Sequence, residues 1–486
     1  MSDHAHPHHP NIVTPYGESS SKCGYCNGAR AAPNSSPDSA KSSRTYGLLA
    51  PSLSPTLYKY LLDSGFRRSG TYIYLPNNKE TCCPQHCIRL GCEDWEWKGE
   101  RKVLNKVGRF CNPPLESSEV DYREELIAYV RENLLRLNVD ERMLRDIGIK
   151  KKGDVYTTSI LNTLKYKHKV SLEASEDDFE NKDEVESLEI VKGFINITLF
   201  RRFSVSSFLP STTKNAAVGV KSKKISYKLL PSHLSLHDPS VHRLYCEYQQ
   251  KVHNDPNPYD DDPHNVDNSG FKRFLVDNPF SDEEKDLENG IVLEFDDENI
   301  LESFDLLGCW HLHYLIDEEL VMVSVLDFLP DALSSVYCFY ATHSIPLGRW
   351  SVIKEVEFCR RWRIEWYYLG YYIESCPKMK YKGDYGVSWI RRGRGWMKLD
   401  AEGRRVMKEE EESLWEEEKE EEEEEKFGPA RISEVANEIG IVLQSSTEVL
   451  KIQRLNAQGR QIVRPILEEF VEKVGEEIAE NVVVKL

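Results

Sequence analysis

The sequence has no apolar run near the roughly 20 residues that a helix needs to cross a bilayer, so a membrane-spanning protein is not expected. Its opening ten residues are rich in histidine, which can bind metal weakly, and they lack the apolar core of a secretory signal. No internal repeat is present. Because 40% of the 486 residues are hydrophobic and 30% are charged, we expect a soluble, multidomain globular protein. The cytoplasm is the expected compartment, with the nucleus as a second.

Positive charge is scarce overall, since the net charge at pH 7 is −18, and this alone argues against a nucleic-acid partner. The acid is concentrated, however, because residues 409–425 contain thirteen Glu and one Lys, a net charge of −12. Residues 22–109 and 376–408 each carry a net charge of +7. These two segments are either surfaces that face phosphates or solvated faces that balance acidic neighbours.

Changes in composition and periodicity divide the chain into six segments. They are a flexible tail at 1–19, a cysteine-rich metal-binding domain at 20–115, a connecting or inserted region at 116–235, an α/β domain at 236–400, an acidic low-complexity linker at 401–430 and a helical appendage at 431–486. The Glu tract is expected to be disordered or a solvated helix because its like charges repel.

Periodicity also predicts individual elements. Helices are expected at 55–65 and 124–137, strands at 71–75 and 193–200, and a flexible loop at 28–44. In the α/β domain, apolar runs at 320–329 and 334–340, helical spacing at 350–359 and aromatic residues at 366–373 predict the order strand, strand, helix, strand. The spacing of Ile432, Val435, Ile439 and Val442 predicts a helix in the last segment.

Twelve cysteines in a protein expected to be cytosolic indicate free thiols and metal ligands rather than disulfides. Cys23 and Cys26 form a Cys-x-x-Cys pair, and Cys82 and Cys83 are followed by Pro84, which favours a turn in which both can ligate. Four thiolates suit zinc or an iron–sulfur cluster. In the alternative, Cys82 or Cys83 is a buried thiol and the site is completed by His86, Cys87 or Cys92.

Several motifs occur together in a recognisable order and spacing. They are CGYC at 23–26, GFRRSG at 65–70, TCCP at 81–84, FKRFLV at 271–276, VLDFLP at 325–330, LSSVY at 333–337 and SCPKMKYKGDY at 375–385. Over residues 20–95 and 240–390 the sequence therefore resembles arginyl-tRNA protein transferases of the eukaryotic type. The family usually has an aspartate soon after the strand that ends near Tyr340, where this chain has Ala341 and Thr342, so no role of that aspartate is carried over.

The resemblance implies an α/β fold whose catalytic core is N-acetyltransferase-like (GNAT), with a small cysteine-rich metal-binding N-terminal domain. It implies transfer of arginine from Arg-tRNA(Arg), the co-substrate, to the α-amino group of proteins that begin with Asp, Glu or oxidised Cys. It further implies that the products enter ubiquitin-dependent degradation, and that zinc or an iron–sulfur cluster occupies Cys23, Cys26, Cys82 and Cys83. The sequence does not indicate an oligomeric state.

Candidate catalytic and binding residues follow from the chemistry. Because the arginyl ester is already activated, the enzyme needs mainly to position a neutral amine and stabilise the oxyanion. Asp327 is the candidate to orient that amine, or else it caps the turn at Pro330, and His253 is a weaker candidate base. The cations and hydroxyl expected to read an acidic side chain or hold tRNA phosphates are Arg67, Arg68, Lys378, Lys380, Tyr381 and Lys382.

Two other functions fit parts of the sequence. An acetyl-CoA-dependent N-acetyltransferase would share the fold, and it needs a glycine-rich turn between a strand and a helix to bind pyrophosphate. The only similar string runs from Arg392 to Gly395. A metal-stapled RNA-binding or adaptor protein without catalysis would explain the basic segments and the acidic tract.

Overall fold

The computed structural model describes residues 11–27, 29–30, 41–93, 95–111, 123–145, 147–152, 155–180, 185–199, 223–255, 270–280, 291–293, 306–342, 345–393, 395–412, 428–443 and 448–486. Residues 1–10 of the tail predicted at 1–19, most of the loop predicted at 28–44 and the acidic residues at 413–427 lie outside them. From Ile12 onward the predicted tail forms a strand, which corrects the expectation of flexibility for these residues. No helix in the described residues is long and apolar enough to span a membrane.

The strands, in chain order, are β1 (Ile12–Ser21), β2 (Ser43–Ser52), β3 (Arg67–Ser69), β4 (Tyr72–Pro76), β5 (His86–Gly91), β6 (Ile149–Lys152), β7 (Val155–Thr158), β8 (Val185–Val191), β9 (Phe194–Leu199), β10 (Ile225–Pro231), β11 (Ile291–Leu293), β12 (Gly308–Ile316), β13 (Glu319–Leu329), β14 (Ala332–Tyr340), β15 (Trp366–Tyr372), β16 (Ser388–Arg392), β17 (Gly395–Lys398), β18 (Gly440–Val442) and β19 (Val483–Lys485).

The α-helices are α1 (Pro55–Asp63), α2 (Glu100–Cys111), α3 (Arg123–Arg136), α4 (Ile160–Lys167), α5 (Pro239–Tyr248), α6 (Leu347–Arg361), α7 (Pro377–Lys380), α8 (Ala401–Glu412), α9 (Pro429–Glu438), α10 (Ala457–Val474) and α11 (Glu476–Ala479). Two π-helical turns occupy Gln249–His253 and Lys272–Val276. The helices predicted at 55–65 and 124–137 and the strands predicted at 71–75 and 193–200 are confirmed within a few residues. The mixed α/β class is confirmed.

The chain forms two compact units, one of residues 105–224 and one of residues 1–104 and 225–486. The smaller unit has a four-stranded sheet in the order β6–β7–β9–β8 and a hydrophobic core of its own. Leu126, Val130 and Leu134 of α3 are fully buried in that core with Ile195 and Ile197 of β9. Part of the predicted connecting region is therefore a folded body, and the six-segment division as a whole stays a prediction.

One sheet of the larger unit has the strand order β18–β19–β1–β2–β4–β3. Its inner face carries side chains such as Tyr46, Leu48 and Ile73, which are buried in the same core as Leu467 and Phe470 of α10. Along β2, Tyr46, Leu48 and Ala50 are buried in this core at the period of 2 expected for a strand with one covered face. The opposite face is left partly open to solvent.

The last segment is only partly helical, which corrects the sequence prediction. α9 ends at Glu438, and Val442 lies in β18, which pairs in parallel with β19. β19 in turn pairs in parallel with β1, with Ile12 opposite Val483. The backbone is already extended at Ile439, directly after the helix, and Ile441 is buried because its strand joins a sheet.

The other sheet of this unit contains the predicted order of strand, strand, helix, strand, formed by β13, β14, α6 and β15. β14 and β15 are parallel neighbours joined by the helix, as expected for a crossover connection. Their register covers only Ala332 to Ser334 opposite Trp366 to Tyr368. Beyond these residues the two strands, which are described throughout, have no ladder pairs, so the sheet opens between them.

Candidate functional site

The four predicted metal ligands meet at one point. The Sγ atoms of Cys23, Cys26, Cys82 and Cys83 all lie within 4.8 Å of one another. A single zinc ion with 2.3 Å bonds to four thiolates separates the sulfurs by about 3.8 Å. The donor set and its size therefore fit a tetrahedral metal ion, and three of the four side chains are buried.

Local turns place both pairs. Cys23 and Cys26 lie in a turn directly after β1, and the amide of Cys23 donates to the hydroxyl of Ser42. Cys82 and Cys83 lie in a bend, as Pro84 predicted, and the amide of Cys82 donates to the carbonyl of Ser42. Hydrogen bonds to one residue thus hold two distant segments together.

The thiols differ in acidity. Burial opposes ionisation of Cys26, but a backbone hydrogen bond at Arg30 and bonds with the other three thiols outweigh it and lower its pKa to about 7. Burial and the bond with Cys26 raise the pKa of Cys82 to about 12. Burial likewise raises the pKa of Cys83. Since a metal binds thiolates, loading this site releases protons, and metal affinity is expected to fall as the pH is lowered.

The alternative ligands lie elsewhere. The thiol of Cys87 donates to the carbonyl of Gly65 at 3.1 Å, and Nδ1 of His86 is 3.1 Å from the carbonyl of Arg391. The thiol of Cys92 points to the carbonyl of Leu90. The structure therefore brings together Cys23, Cys26, Cys82 and Cys83, the ligand set that the sequence favours over the alternatives.

Asp327 and Arg68 form a buried ion pair. Nε of Arg68 donates to Oδ2 of Asp327 at 2.7 Å, Nη2 donates to Oδ1 at 2.5 Å, and neither side chain has any exposure to solvent. Burial lowers the pKa of Arg68, but the Asp327 carboxylate outweighs this and raises it above its ordinary value. Substrate cannot touch either side chain in this arrangement. Asp327 also does not cap the turn at Pro330, since its carboxylate faces Arg68.

The neighbouring Arg67 points to the opposite face of β3, because side chains alternate along a strand. Its guanidinium is buried and donates to the carbonyls of Phe66 at 2.9 Å and Gly370 at 3.2 Å. Nε of Arg67 has no hydrogen-bond partner, and no carboxylate forms an ion pair with it among the described residues. An unpaired buried cation is costly, so this position favours an anionic ligand.

Lys382 adds a second cation. Its Nζ donates to the carbonyl of Tyr371 at 3.1 Å, one residue after the carbonyl that accepts from Arg67. Burial and then the charge of Arg67 lower the pKa of Lys382 to about 7. The two cations thus approach the chain at Gly370, where β15 shifts register against β5 and the glycine has a φ of +74°.

On the β14 side of the opening, His253 belongs to a short hydrogen-bonded chain. The side-chain amide of Gln249 donates to the Tyr337 hydroxyl at 3.1 Å, and that hydroxyl lies 3.3 Å from Nε2 of His253. Gln249 and His253 face Tyr337 together because their turn is π-helical, a rare geometry that often marks functional sites. Desolvation and then the charge of Lys378 lower the pKa of His253, so the ring is neutral at pH 7.

The remaining candidates lie on the segment after β15. Lys378 is exposed on α7, Lys380 pairs with Glu374, and Tyr381 is 38% exposed. Sequence reasoning did not single out Gln249 or Tyr337 as site residues. Tyr337 stands in a quoted family motif, but its contact with Gln249 depends on the π-helical turn, which no simple residue pattern predicts.

Arg392 and Gly395 of this string pair with each other at the end of the antiparallel strands β16 and β17, and Arg394 lies outside the described residues. Gly393 adopts a φ of +53°, as tight turns require. This string does not join a strand to a helix, so it lacks the geometry of a pyrophosphate-binding turn. The observation argues against the acetyl-CoA-dependent alternative.

Two models of known protein families match segments of the larger unit. Residues 21–102 match the model described as "Arginine-tRNA-protein transferase, N terminus", and residues 240–391 match "Arginine-tRNA-protein transferase, C terminus". The chain belongs to this family. All four clustered cysteines, the buried pair and the hydrogen-bonded chain lie inside the matched segments.

Individual arginyl-tRNA–protein transferases are similar over most of the chain. Arginyl-tRNA–protein transferase 2 of Arabidopsis thaliana is 28% identical over 465 residues, covering 78% of this chain and 73% of the relative. Arginyl-tRNA–protein transferase 1 of Drosophila melanogaster is 26% identical over 422 residues, covering 78% and 80%. The aspartate/glutamate leucyltransferase of Campylobacter jejuni is 34% identical over 86 residues, covering 17% of this chain and 36% of the relative.

Proposed function

We propose that this protein transfers arginine from Arg-tRNA to the α-amino group of proteins with an acidic N-terminal residue, and so marks them for ubiquitin-dependent degradation. The membership of an arginine-tRNA-protein transferase family supports the reaction class. One observation supports the preference for an acidic N-terminal residue. Arg67 and Lys382 converge at the edge of the opened sheet, and neither has a carboxylate partner among the described residues.

The proposed catalytic core is GNAT-like. Its support is the parallel pair β14 and β15, which is joined by α6, paired over three residues and then open. Such an opening exposes backbone groups that no longer bond across the sheet, and these can bind an extended ligand. We place the arginyl ester in this opening, with His253 and Tyr337 on the β14 side and Arg67 and Lys382 on the β15 side.

The chemistry follows from the hydrogen-bonded chain. The acceptor amine attacks the ester carbonyl carbon, and the bond from that carbon to the ribose oxygen breaks. The ribose oxygen leaves with the proton that His253 has received, so the amine loses one proton and the leaving group gains one. An α-amino group has a pKa of about 7.7–8.0, so a neutral fraction is present at pH 7. Tyr337 takes one proton of the attacking amine while passing its own to Nε2 of His253. Gln249 holds the Tyr337 oxygen in place.

The two cations read the acceptor side chain. A carboxylate placed beside Arg67 accepts from the unpartnered Nε and is held by the charge of Lys382. The side chain of oxidised cysteine carries an acidic group that is negatively charged, like a carboxylate, so the same site accepts it. An anion there also raises the pKa of Lys382 and keeps it charged.

We propose zinc at the four cysteines, and its support is the compactness of the sulfur cluster, which suits one ion. A bound zinc ion would fix the turn after β1 to the bend after β4. The segment after the bend becomes β5, which pairs with β15. The metal would therefore hold the N-terminal sheet against the strand that carries Gly370 and Tyr371.

The function is tested by transfer of labelled arginine from charged tRNA to peptides that begin with Asp, Asn or Ala and are otherwise identical. Transfer to the Asp peptide alone is expected, since Asn matches Asp in shape but lacks the charge. Equal transfer to Asp and Asn would contradict recognition by cations. No transfer to any peptide by folded, metal-loaded protein would favour the non-catalytic RNA-binding alternative.

Changing Arg67 to Met is expected to lower kcat/KM for the Asp peptide by about 10- to 100-fold, because a hydrogen bond to a charged group contributes about 1.5–3 kcal/mol. Lys382→Met is expected to act in the same direction. Steady-state transfer with Asp and Asn peptides is the measurement, and the preference for Asp should collapse. Arg454→Met, at an exposed position, is the control. A loss shared equally by both peptides would indicate a folding defect instead.

A further inference from the structure

A row of tyrosine rings crosses the open face of the N-terminal sheet. Tyr16 is 64% exposed and lies 6.4 Å from Tyr72, whose ring is stacked with that of Tyr74 at 6.2 Å and an interplanar angle of 14°. Tyr74 continues to Tyr371 at 6.0 Å. We call Tyr16, Tyr72 and Tyr74 the tyrosine ladder. Its rings are partly exposed, although large apolar rings are normally covered.

A glycine lies beneath one of these rings. Gly47 of β2 lies opposite Tyr74 of β4. A Cβ atom at Gly47 would collide with the ring and hydroxyl of Tyr72. The absence of a side chain at Gly47 therefore lets the Tyr72 ring lie on the sheet, at a place where strands normally disfavour glycine.

The ladder leads from solvent to the proposed catalytic site. Tyr74 lies opposite Arg67 in the register of β3 and β4, so both side chains share the open face. The Tyr371 hydroxyl donates to the carbonyl of Gly65 at 3.1 Å, which fixes the inner end of the row beside Arg67. A ligand that follows the rings from Tyr16 inward reaches the opening beside β15.

The surrounding charge suits a polyanion. Residues 22–109, which supply two rings of the ladder, carry a net charge of +7. Two acids of this sheet region have cationic partners, since Glu18 binds Lys473 and Glu80 binds Arg44. A net excess of cations in the segment that carries Tyr72 and Tyr74 favours the binding of phosphates.

We propose that the tyrosine ladder is a stacking platform for the single-stranded 3′ end of the tRNA, and that it guides the arginyl ester into the opening between β14 and β15. The inference rests on the proposed arginine transfer and adds how the donor is held. Aromatic rings on an open sheet, beside basic groups, bind unpaired bases because every base has a face that stacks. A peptide would instead need free backbone groups at a sheet edge, whereas the backbone under the ladder is already paired.

The test combines protein and RNA variants. Binding is measured for an uncharged tRNA(Arg) transcript and for the same transcript without its last four nucleotides, at one ionic strength. Tyr16→Ala is expected to weaken binding of the intact transcript by about 5- to 50-fold, which is the usual effect of removing an aromatic ring on which a base stacks. Binding of the truncated transcript is expected to stay unchanged. Tyr60→Ala is the matched control, since Tyr60 is 43% exposed on α1 and away from the ladder.

Gly47→Ala provides a second variant that keeps every tyrosine. Its methyl group displaces the Tyr72 ring, so the same selective loss for the intact transcript is expected. Equal weakening of both transcripts, or no weakening of either, would overturn the platform. If wild-type protein transfers arginine but shows no such selectivity, only the platform fails. Selective loss without any arginine transfer by the wild type would uphold the platform and reject the proposed reaction.

Discussion

Arg68→Met is expected to lower the free energy of unfolding by about 3–5 kcal/mol, because it leaves the Asp327 carboxylate buried without a partner. Both side chains are fully inaccessible, and the pair links β3 to β13. Chemical denaturation at pH 7 measures the effect. Arg405→Met removes exposed ion pairs with Glu402 and Glu409 and is expected to leave the free energy of unfolding nearly unchanged.

A double variant separates the pair from its individual charges. Arg68→Met with Asp327→Leu replaces two buried ions by apolar groups and is expected to recover most of the lost stability. If the single Arg68 variant were as stable as the wild type, the buried pair would be refuted. A stable single variant that loses only transfer to Asp peptides would return Arg68 to the role of reading substrate.

Cys83→Ser is expected to abolish stoichiometric metal binding and to cause a large loss of thermal stability, since structural zinc sites contribute apparent free energies of about 10–16 kcal/mol in small metal-folded peptides. Elemental analysis of purified protein, with a test for acid-labile sulfide, measures the metal and distinguishes zinc from an iron–sulfur cluster. The control is Cys87→Ser, which replaces another buried thiol and keeps a donor toward the Gly65 carbonyl.

Metal content identical in Cys83→Ser and the wild type would contradict the four-cysteine site. The pH adds an independent check, because thiolates must form before metal binds. Acid therefore releases metal, since in the metal-free protein the raised pKa values keep Cys82 and Cys83 protonated at neutral pH, and Cys26 takes up its proton as the pH falls through about 7.

Much of the fold follows from residue patterns that act over short distances. The spacing of Trp350, Ile353, Val356 and Cys359 predicts α6, and apolar runs predict β13 and β14, because burial imposes a period of 3.6 or 2 on neighbouring residues. The four cysteines could be chosen because metal ligation demands specific atoms in pairs. Both kinds of signal are local.

What could not be predicted depends on register and on distant partners. Nothing in the sequence distinguishes Arg67 from Arg68, yet the pairing of β3 with β4 places one on the open face and the other against Asp327. In the same way, the spacing at 432–442 fits a helix, but the backbone becomes extended at Ile439 and β18 pairs with β19. A one-residue change of register would exchange the roles of the two arginines.

The parallel pairing of β1 with β19 also has a consequence for synthesis. β1 leaves the ribosome hundreds of residues before its partner at 483–485 is made. One edge of β1 therefore stays unpaired until β19 has been synthesised, a state that invites pairing with other nascent chains. Chaperones that shield bare strand edges during this interval are expected to raise the yield of active protein.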